Sequence, residues 1–142
     1  MRIYKIVLDT NVLVSAVKSK NGFAFRLLSI IDDKRFKVYL SVPVVLEYET
    51  VLKNNISLTK LSEKDIDNIL DYLCFIGEER KIFYLWRPHL KDFKDDMFLE
   101  LAVESGSDFI ITFNKKDFTD AGKFNIKTLT PKELLNLIGE KL

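Results

Sequence analysis

The sequence predicts an α/β protein, namely a three-layer α/β/α sandwich around a mostly parallel central sheet. Short apolar runs rich in β-branched residues alternate along the chain with longer segments whose apolar residues recur at helical spacing. The 142 residues include only 5 glycines and 3 prolines, and they contain no repeat or linker-like stretch. We therefore expect a single domain over residues 1–142.

The predicted strands are short apolar runs bounded by polar or turn-forming residues. In chain order they are residues 3–8, 37–40, 82–86, 109–112 and 126–129. Parallel strands need crossover connections of a dozen or more residues, which the intervening segments supply. The carboxyl ends of such strands share one edge of the sheet, where the ligands of these folds gather.

Capping residues mark where several predicted helices begin or end. Ser62 and Asp65 form a capping-box pattern, and Ser41 can cap the helix before it. Thr130 can start the closing helix, and Gly106 can stop the helix that precedes it. The predicted helices occupy residues 23–33, 43–53, 62–76 and 95–105 and a segment that begins at 131.

Composition and charge exclude several functional classes. Hydrophobic residues make up 47% of the chain and charged residues 30%, which is ordinary for a soluble globular protein. The net charge of +1 predicts no overall basic surface for nucleic acid, and the apolar runs are far shorter than the ~20 residues of a membrane span. A single cysteine, Cys74, excludes an internal disulfide, so we expect a cytoplasmic protein without membrane contact.

An acid interrupts the first apolar run: residues 6–17 read IVLDTNVLVSAV, with Asp9 at the end of the first predicted strand. A buried carboxylate is costly unless it is paired or binds a metal. Thr112 ends the fourth predicted strand, so Asp9 and Thr112 are expected to share one crevice. The structural alternative is that Asp9 caps the next segment through the backbone amides of Asn11 or Val12.

Periodicity separates two adjacent acids, Asp95 and Asp96, in the helix predicted over residues 95–105. Apolar residues follow Asp95 at helical spacing, which places Asp95 on the buried face. Glu100 and Glu104 follow Asp96 at the same spacing, which predicts a solvated acidic stripe. We therefore expect Asp95 to point inward from the first helical turn, where the helix dipole favours its ionised form.

Two further segments offer acids for the same crevice. Glu47 lies on one margin of the buried side of the helix at 43–53 and Glu49 near the other, and spacing favours Glu47 without excluding Glu49. Asn114 and Asp117 follow the fourth predicted strand in the segment TFNKKDF.

Carboxylates brought together from these segments would raise each other's pKa values unless cations neutralise them. Mg²⁺ or Mn²⁺ is the natural choice, because both are hard cations that prefer oxygen ligands. The only histidine and cysteine are His89, expected in a loop, and Cys74, expected in the core. A zinc site of the usual type is therefore not expected.

Four segments resemble the PIN-domain family, in the family's order and close to its usual spacing. They are VLDTNVLVSA, VVLEYETVL, KDDMFLELAVESGSDFIIT, and TFNKKDF followed by LTPKELL. The resemblance covers nearly the whole chain. It implies a parallel sheet between helices, with acidic residues at the strand ends that bind Mg²⁺ or Mn²⁺. Many small bacterial and archaeal members are endoribonuclease toxins of the VapC class, which a cognate antitoxin holds inactive.

The resemblance also implies which residues form the site. Asp9, Glu47 and Asp95 match the first three acids of the family pattern, and Asp117 matches the fourth. Many relatives carry Asp at the position of Asn114, which leaves open whether Asn114 or Asp117 completes the site.

Polar and basic neighbours complete the implied site. Asn11 and Thr112 match polar positions that support the metal site in the family, and Lys115 and Lys116 could contact flanking phosphates. The implied reaction is metal-dependent hydrolysis of RNA phosphodiester bonds, in a homodimer that pairs with an antitoxin. The alternative is a catalytically weak PIN-like domain that binds RNA or a protein partner without cleaving.

Two other phosphoryl-transfer families also place an acid after the first strand. A phosphotransferase of the haloacid dehalogenase type needs a second Asp two residues later, where this chain has Asn11. A response-regulator receiver needs an Asp after the third strand, where this chain has Trp86, Arg87 and Pro88. The sequence therefore disfavours both families.

Overall fold

Five short parallel strands form one sheet in the residues that this computed structural model describes, which are 2–82 and 93–141, with backbone alone for 93–95. The strands are β1 (Tyr4–Leu8), β2 (Phe36–Leu40), β3 (Glu78–Glu79), β4 (Phe109–Ile111) and β5 (Lys127–Leu129). Their order across the sheet is β3-β2-β1-β4-β5, and each pairing is parallel. This sheet confirms the predicted α/β/α class.

Helices fill the connections between the strands. They are α1 (Thr10–Lys18), α2 (Phe23–Ser29), α3 (Val42–Asn54), α4 (Glu63–Ile76), α5 (Phe93–Ser105) and α6 (Pro131–Leu137). Among the described residues, two 3-10 segments lie at Ile56–Leu58 and Lys115–Phe124. None of the described helices is both long and apolar enough to cross a membrane.

Most of the predicted elements are confirmed, and their caps form as the sequence indicates. Ser62 and Asp65 make both hydrogen bonds of a capping box at the start of α4, and Thr130 begins α6 in the same way. Gly106 follows α5 with a φ of 65°, a left-handed conformation that glycine adopts without strain.

Several predicted bounds differ from the structure, and the helix predicted over residues 23–33 already ends at Ser29. The third strand among the described residues is the two-residue β3. Of the strand predicted over residues 82–86, Ile82 is outside any strand and 83–86 lie outside the described residues. The helix α1 over Thr10–Lys18 was not predicted from the sequence. Its β-branched residues weaken intrinsic helix propensity, but Val12, Leu13 and Ala16 are buried, and this packing outweighs propensity.

One residue after each strand stands at the carboxyl edge of the sheet, and we name these five residues the edge row. The backbone amides of Asp9, Thr112 and Arg80 each donate to the last carbonyl of a neighbouring strand, at 2.8–2.9 Å. The strand ladders therefore continue one step beyond the strands. In sheet order, the edge row is Arg80, Ser41, Asp9, Thr112 and Thr130.

Buried residues of β1, α3 and α5 position the edge row. Ile6, Val7 and Leu8 of β1 are fully buried. Tyr48 of α3 is also fully buried, and its hydroxyl donates a hydrogen bond to the Leu8 carbonyl, directly before Asp9. The Tyr48 ring lies 6.2 Å from that of Phe98 in α5. The two helices that flank the edge row are thus tied to the end of β1.

Replacing Tyr48 with Phe is expected to lower the free energy of unfolding by about 1–2 kcal/mol, because the buried Leu8 carbonyl loses a donor while ring packing is kept. Urea denaturation measures the change. Tyr72→Phe, on the exposed side of α4, is the matched control and should change stability by less than about 0.5 kcal/mol. An unchanged midpoint for Tyr48→Phe would show that this hydrogen bond does not stabilise the fold.

Candidate active site

Asp9 is the buried acid at the centre of the edge row. Its side chain is 6% exposed. One carboxylate oxygen accepts a hydrogen bond from the Thr10 amide at 2.8 Å, and the other accepts from the Thr112 hydroxyl at 2.7 Å. Asp9 therefore caps α1, through Thr10 and not through Asn11 or Val12, and it also joins β1 to β4.

The Thr112 hydroxyl orients this carboxylate through a small hydrogen-bond network. Its hydroxyl donates to Asp9 and accepts from the Asn114 amide at 2.9 Å and from the Asn11 side-chain amide at 3.4 Å. The Asn11 side-chain oxygen in turn accepts from the Phe113 amide at 3.3 Å. A hydroxyl group has one proton to donate and two lone pairs that accept, so these three contacts fix the orientation of the Thr112 hydroxyl. The structure thus brings together Asp9, Asn11 and Thr112, as the sequence predicts.

The pKa of Asp9 is raised from 3.8 to about 6. Burial is the largest cause, because it penalises the charged form, and the nearby carboxylates of Asp117 and Glu47 raise the pKa further. Hydrogen bonds from Thr112 and Thr10 lower it in part. Asp117 and Glu47 are therefore close enough to Asp9 to repel its charge.

Glu47 and Asp117 approach Asp9 from two different elements. Glu47 is half-buried in the second turn of α3, and Asp117 is half-buried in the first turn of the 3-10 segment Lys115–Phe124. Asn114 stands before that segment, is exposed, and makes no capping hydrogen bond through its side chain. Asp117, rather than Asn114, is the residue whose charge reaches Asp9 in the described structure.

The predicted orientation of the acids in α5 is partly wrong. Asp96 and Glu100 are 1% and 3% exposed, whereas the sequence predicts them in a solvated stripe; only Glu104 is exposed as expected. The cause is that α5 contacts β1, β2, β4, α3 and the 3-10 segment, so it is buried on most of its sides. Asp95 lies in the first turn of α5, and its side chain is outside the described residues.

Comparison with known proteins identifies the family of this chain. The PIN domain family model matches residues 5–116. The chain belongs to the PIN-domain family. PIN domains are generally nucleases, and in this one Asp9 of the edge row has Glu47 and Asp117 within electrostatic reach.

A solved structure has a similar fold. It is the crystal structure of VapBC2 from Rickettsia felis bound to a DNA fragment from their promoter, and the PIN domain matches one of its chains with a TM-score of 0.60 at 16% identity. The match covers 87% of this chain and 98% of that chain. No curated protein matches the sequence. At this identity the likeness shows the fold alone.

Thr10 is a further residue of interest in this PIN domain that was not predicted from the sequence. Its side chain is 7% exposed, and its hydroxyl oxygen is buried without a hydrogen-bond partner among the described residues. Such an orphaned group is costly unless a ligand, ion or water satisfies it. The only sequence signal was its position between Asp9 and Asn11.

The donor chemistry of the site fits a hard divalent cation. Carboxylate and hydroxyl oxygens of Asp9, Glu47, Asp117 and Thr10 lie on the elements that meet there, and a cation would relieve the repulsion that raises the pKa of Asp9. No three acid, histidine or cysteine side chains among those described are grouped closely enough to form a complete metal site. The described acids alone therefore do not make a preformed cage.

The predictions for the two lysines after β4, for Cys74 and for His89 have different outcomes. Lys115 makes an ion pair with Glu133 at the start of α6, which lowers the pKa of Glu133, so its ammonium group already has a carboxylate partner. Lys116 is exposed.

Cys74 is exposed and not in the core, which corrects the prediction, and His89 lies outside the described residues.

Without metal, the contribution of Asp9 to the free energy of unfolding is expected to fall as the pH rises from about 4 to about 6. Because the pKa of Asp9 is about 6 in the folded chain against an ordinary 3.8, the folded state binds this proton more tightly. That stabilisation is fully present below pH 4 and is lost as the pH rises through 6. Each pH unit between the two pKa values is worth about 1.4 kcal/mol, which gives at most about 3 kcal/mol.

Urea denaturation in EDTA at several pH values measures this loss. The Asp9→Asn variant supplies the comparison, since subtracting its curve removes the contributions of all other acids. A difference curve that is flat between pH 4 and 6 would contradict the raised pKa of Asp9.

Proposed function

We propose that this PIN domain is an endoribonuclease that depends on Mg²⁺ or Mn²⁺. The observation that carries the proposal is a buried carboxylate, Asp9, held at the carboxyl edge of a parallel sheet with Glu47 and Asp117 within electrostatic reach. Asp9, Glu47, Asp117 and Asp95 would hold the cation. A bound divalent cation lowers the pKa of a water and stabilises the charge that develops on the leaving oxygen.

The chain's own residues orient the reacting groups. Thr112 fixes one oxygen of Asp9 and the Thr10 amide fixes the other, so the remaining lone pairs point in set directions. Asn11 holds Thr112 in turn. Lys116, which is exposed on the segment after β4, would contact a phosphate that flanks the cleaved bond.

Incubation of the purified protein with a mixed RNA pool and Mn²⁺ or Mg²⁺ tests the proposal. Defined cuts are expected, and EDTA or Asp9→Asn should abolish them. Glu104→Gln, which changes an exposed acid of α5 away from the edge row, should leave them unchanged. Cuts that survive both EDTA and Asp9→Asn would refute the assigned site.

The second candidate function is RNA binding without cleavage. Asn114 favours it, because many relatives carry Asp at that position and Asn cannot supply the same charge. This candidate predicts that the pool stays intact while the protein retains RNA in a filter-binding measurement. The Asp9→Asn variant would then bind RNA as well as the unchanged protein.

We also propose a protein partner of the antitoxin type. The solved neighbour belongs to a VapBC complex. In this chain, a groove of about 390 Å³ between α1, α2 and α4 has apolar walls that include the exposed rings of Phe25 and Tyr72. Three lysines line a second pocket that adjoins one end of this groove, namely Lys18, Lys20 and Lys60. An amphipathic segment with acidic residues fits both features.

Co-expression with a candidate antitoxin encoded beside this chain tests the partner proposal. A stable complex that suppresses cleavage is expected. Tyr72→Asp should weaken it, whereas Leu137→Asp, an exposed apolar residue on α6, should not. A complex that Tyr72→Asp leaves unaffected would place the partner elsewhere.

The proposed assembly is a homodimer in the cytoplasm, as the family resemblance implies. Light scattering during size-exclusion chromatography measures the mass directly. A dimer gives twice the 16.5 kDa of one chain. A mass of one chain at micromolar concentration would contradict this assembly.

A further inference from the structure

A cavity of about 250 Å³ opens at the carboxyl edge of the sheet, and we name it the edge cavity. Three segments line it: residues 41–43 at the start of α3, residues 79–82 where the chain leaves β3, and Met97 with Glu100 in α5. None of these residues belongs to the acidic centre around Asp9.

The edge cavity lies beside the candidate active site because both are built on the edge row. Ser41 stands next to Asp9 in that row, and Arg80 stands next to Ser41. Neighbouring strands are about 4.8 Å apart, so these two positions lie about 5–10 Å from Asp9 along the sheet edge. A strand of RNA with a phosphodiester at Asp9 would reach the cavity with an adjacent nucleotide.

The lining of the edge cavity combines apolar walls with a polar edge. Val42, Pro43, Ile82 and Met97 supply apolar surface. An unpaired base has the same division, with apolar faces and a polar rim that donates and accepts hydrogen bonds. The volume is just below the roughly 300–1,000 Å³ of pockets for drug-sized ligands, so it suits a single base.

Arg80 provides the donors of this polar edge. Its backbone amide is fixed by the Leu40 carbonyl at 2.8 Å, and its guanidinium lies over the Tyr39 ring at 5.3 Å. One terminal nitrogen is 3.6 Å from Glu78. The Nε atom is buried and has no hydrogen-bond partner in the part of the chain that the structure describes. The guanidinium is therefore positioned by Tyr39 and Glu78 and still has N–H donors available for a base.

Glu100 provides the acceptors. Its side chain is 3% exposed and lines the cavity. A carboxylate has about four lone-pair sites, so it can accept hydrogen bonds from the protein and from a base at the same time.

We propose that the edge cavity binds one unpaired guanine base of the RNA substrate, next to the cleaved bond. Guanine presents two adjacent donors, N1–H and the N2 amino group, to the Glu100 carboxylate, and its O6 and N7 atoms are acceptors for Arg80. Adenine, cytosine and uracil cannot offer two adjacent donors to one carboxylate. The inference rests on the proposed function, because it names the base that this ribonuclease selects.

The methionines of the chain provide the measurement, because there are only two, Met1 and Met97, and Met97 lines the cavity. With ¹³C-methyl-methionine, the Asp9→Asn variant gives two signals, which Met97→Leu assigns. Titration with guanosine 5′-monophosphate is expected to shift the Met97 signal saturably. The affinity should exceed those for the adenosine, cytidine and uridine monophosphates by about tenfold.

Variants of the lining identify the contacts. Arg80→Gln and Glu100→Gln, each in the Asp9→Asn background, should lower the affinity for guanosine 5′-monophosphate by about tenfold. Glu104→Gln on the same helix is the matched control and should not. A Met97 signal that moves with none of the nucleotides, or equally with all four, would overturn the proposal.

Mapping the cuts in an RNA pool separates the two proposals. Absence of cleavage, with guanosine 5′-monophosphate still bound at Met97, refutes the proposed ribonuclease and leaves the base site standing. Cleavage without a preferred guanine at one fixed position, and without nucleotide binding at Met97, refutes the base site alone.

Discussion

Asp9→Asn is expected to abolish RNA cleavage, by about 10³-fold or more, and at the same time to stabilise the metal-free protein at pH 7. The wild-type carboxylate is charged at that pH, although burial and the charges of Asp117 and Glu47 disfavour the charged form. Asparagine keeps the shape and removes the charge. Relief of that penalty is worth at most about 3 kcal/mol.

Part of this gain is offset by a lost hydrogen bond. The Asn nitrogen cannot accept, whereas both oxygens of Asp9 do, from Thr10 and Thr112. We therefore expect a net increase of about 1–2 kcal/mol in the free energy of unfolding at pH 7, measured with urea in EDTA. Glu104→Gln should leave both activity and stability unchanged. A variant that is inactive and also less stable would mean that Asp9 mainly holds the fold together.

Thr112→Val is expected to have the opposite effect on stability. The change keeps the side chain's shape but removes the hydroxyl that donates to Asp9 and accepts from the amides of Asn114 and Asn11. Leaving these groups without their partner should lower the free energy of unfolding by about 2–4 kcal/mol.

Loss of the same hydroxyl should also weaken metal binding. The hydrogen bond from Thr112 lowers the pKa of Asp9, so its removal raises that pKa further and disfavours the charged ligand. An affinity for Mn²⁺ about 10–100-fold lower is expected in a calorimetric titration. Thr112→Ser keeps the hydroxyl and should retain most of the affinity. Equal Mn²⁺ binding by the Val and Ser variants would show that Thr112 does not orient the ligand.

Much of the site could be predicted because its geometry follows from strand order. Asp9 and Thr112 each end an apolar run, and in a parallel sheet two such ends meet when the strands are neighbours, as β1 and β4 are. The capping box of Ser62 and Asp65 is likewise a local pattern that needs no tertiary information.

The elements that escaped prediction depend on tertiary contacts. β3 consists of Glu78 and Glu79, which carry no apolar signal, and it forms because its backbone pairs with β2 at the sheet edge. The burial of Asp96 and Glu100 follows from how many elements surround α5, and periodicity along one helix does not contain that information.

The edge row limits where this chain can change in length. Asp9, Ser41 and Thr130 are each the single residue between a strand and the helix that follows it, whereas such connections usually have about two to six residues. An insertion at any of them would break a helix cap, and one at Asp9 would also break a strand ladder. Insertions should be tolerated instead at the opposite edge of the sheet and in residues 55–62, so new substrate preferences at these three positions of the crevice have to arise by substitution.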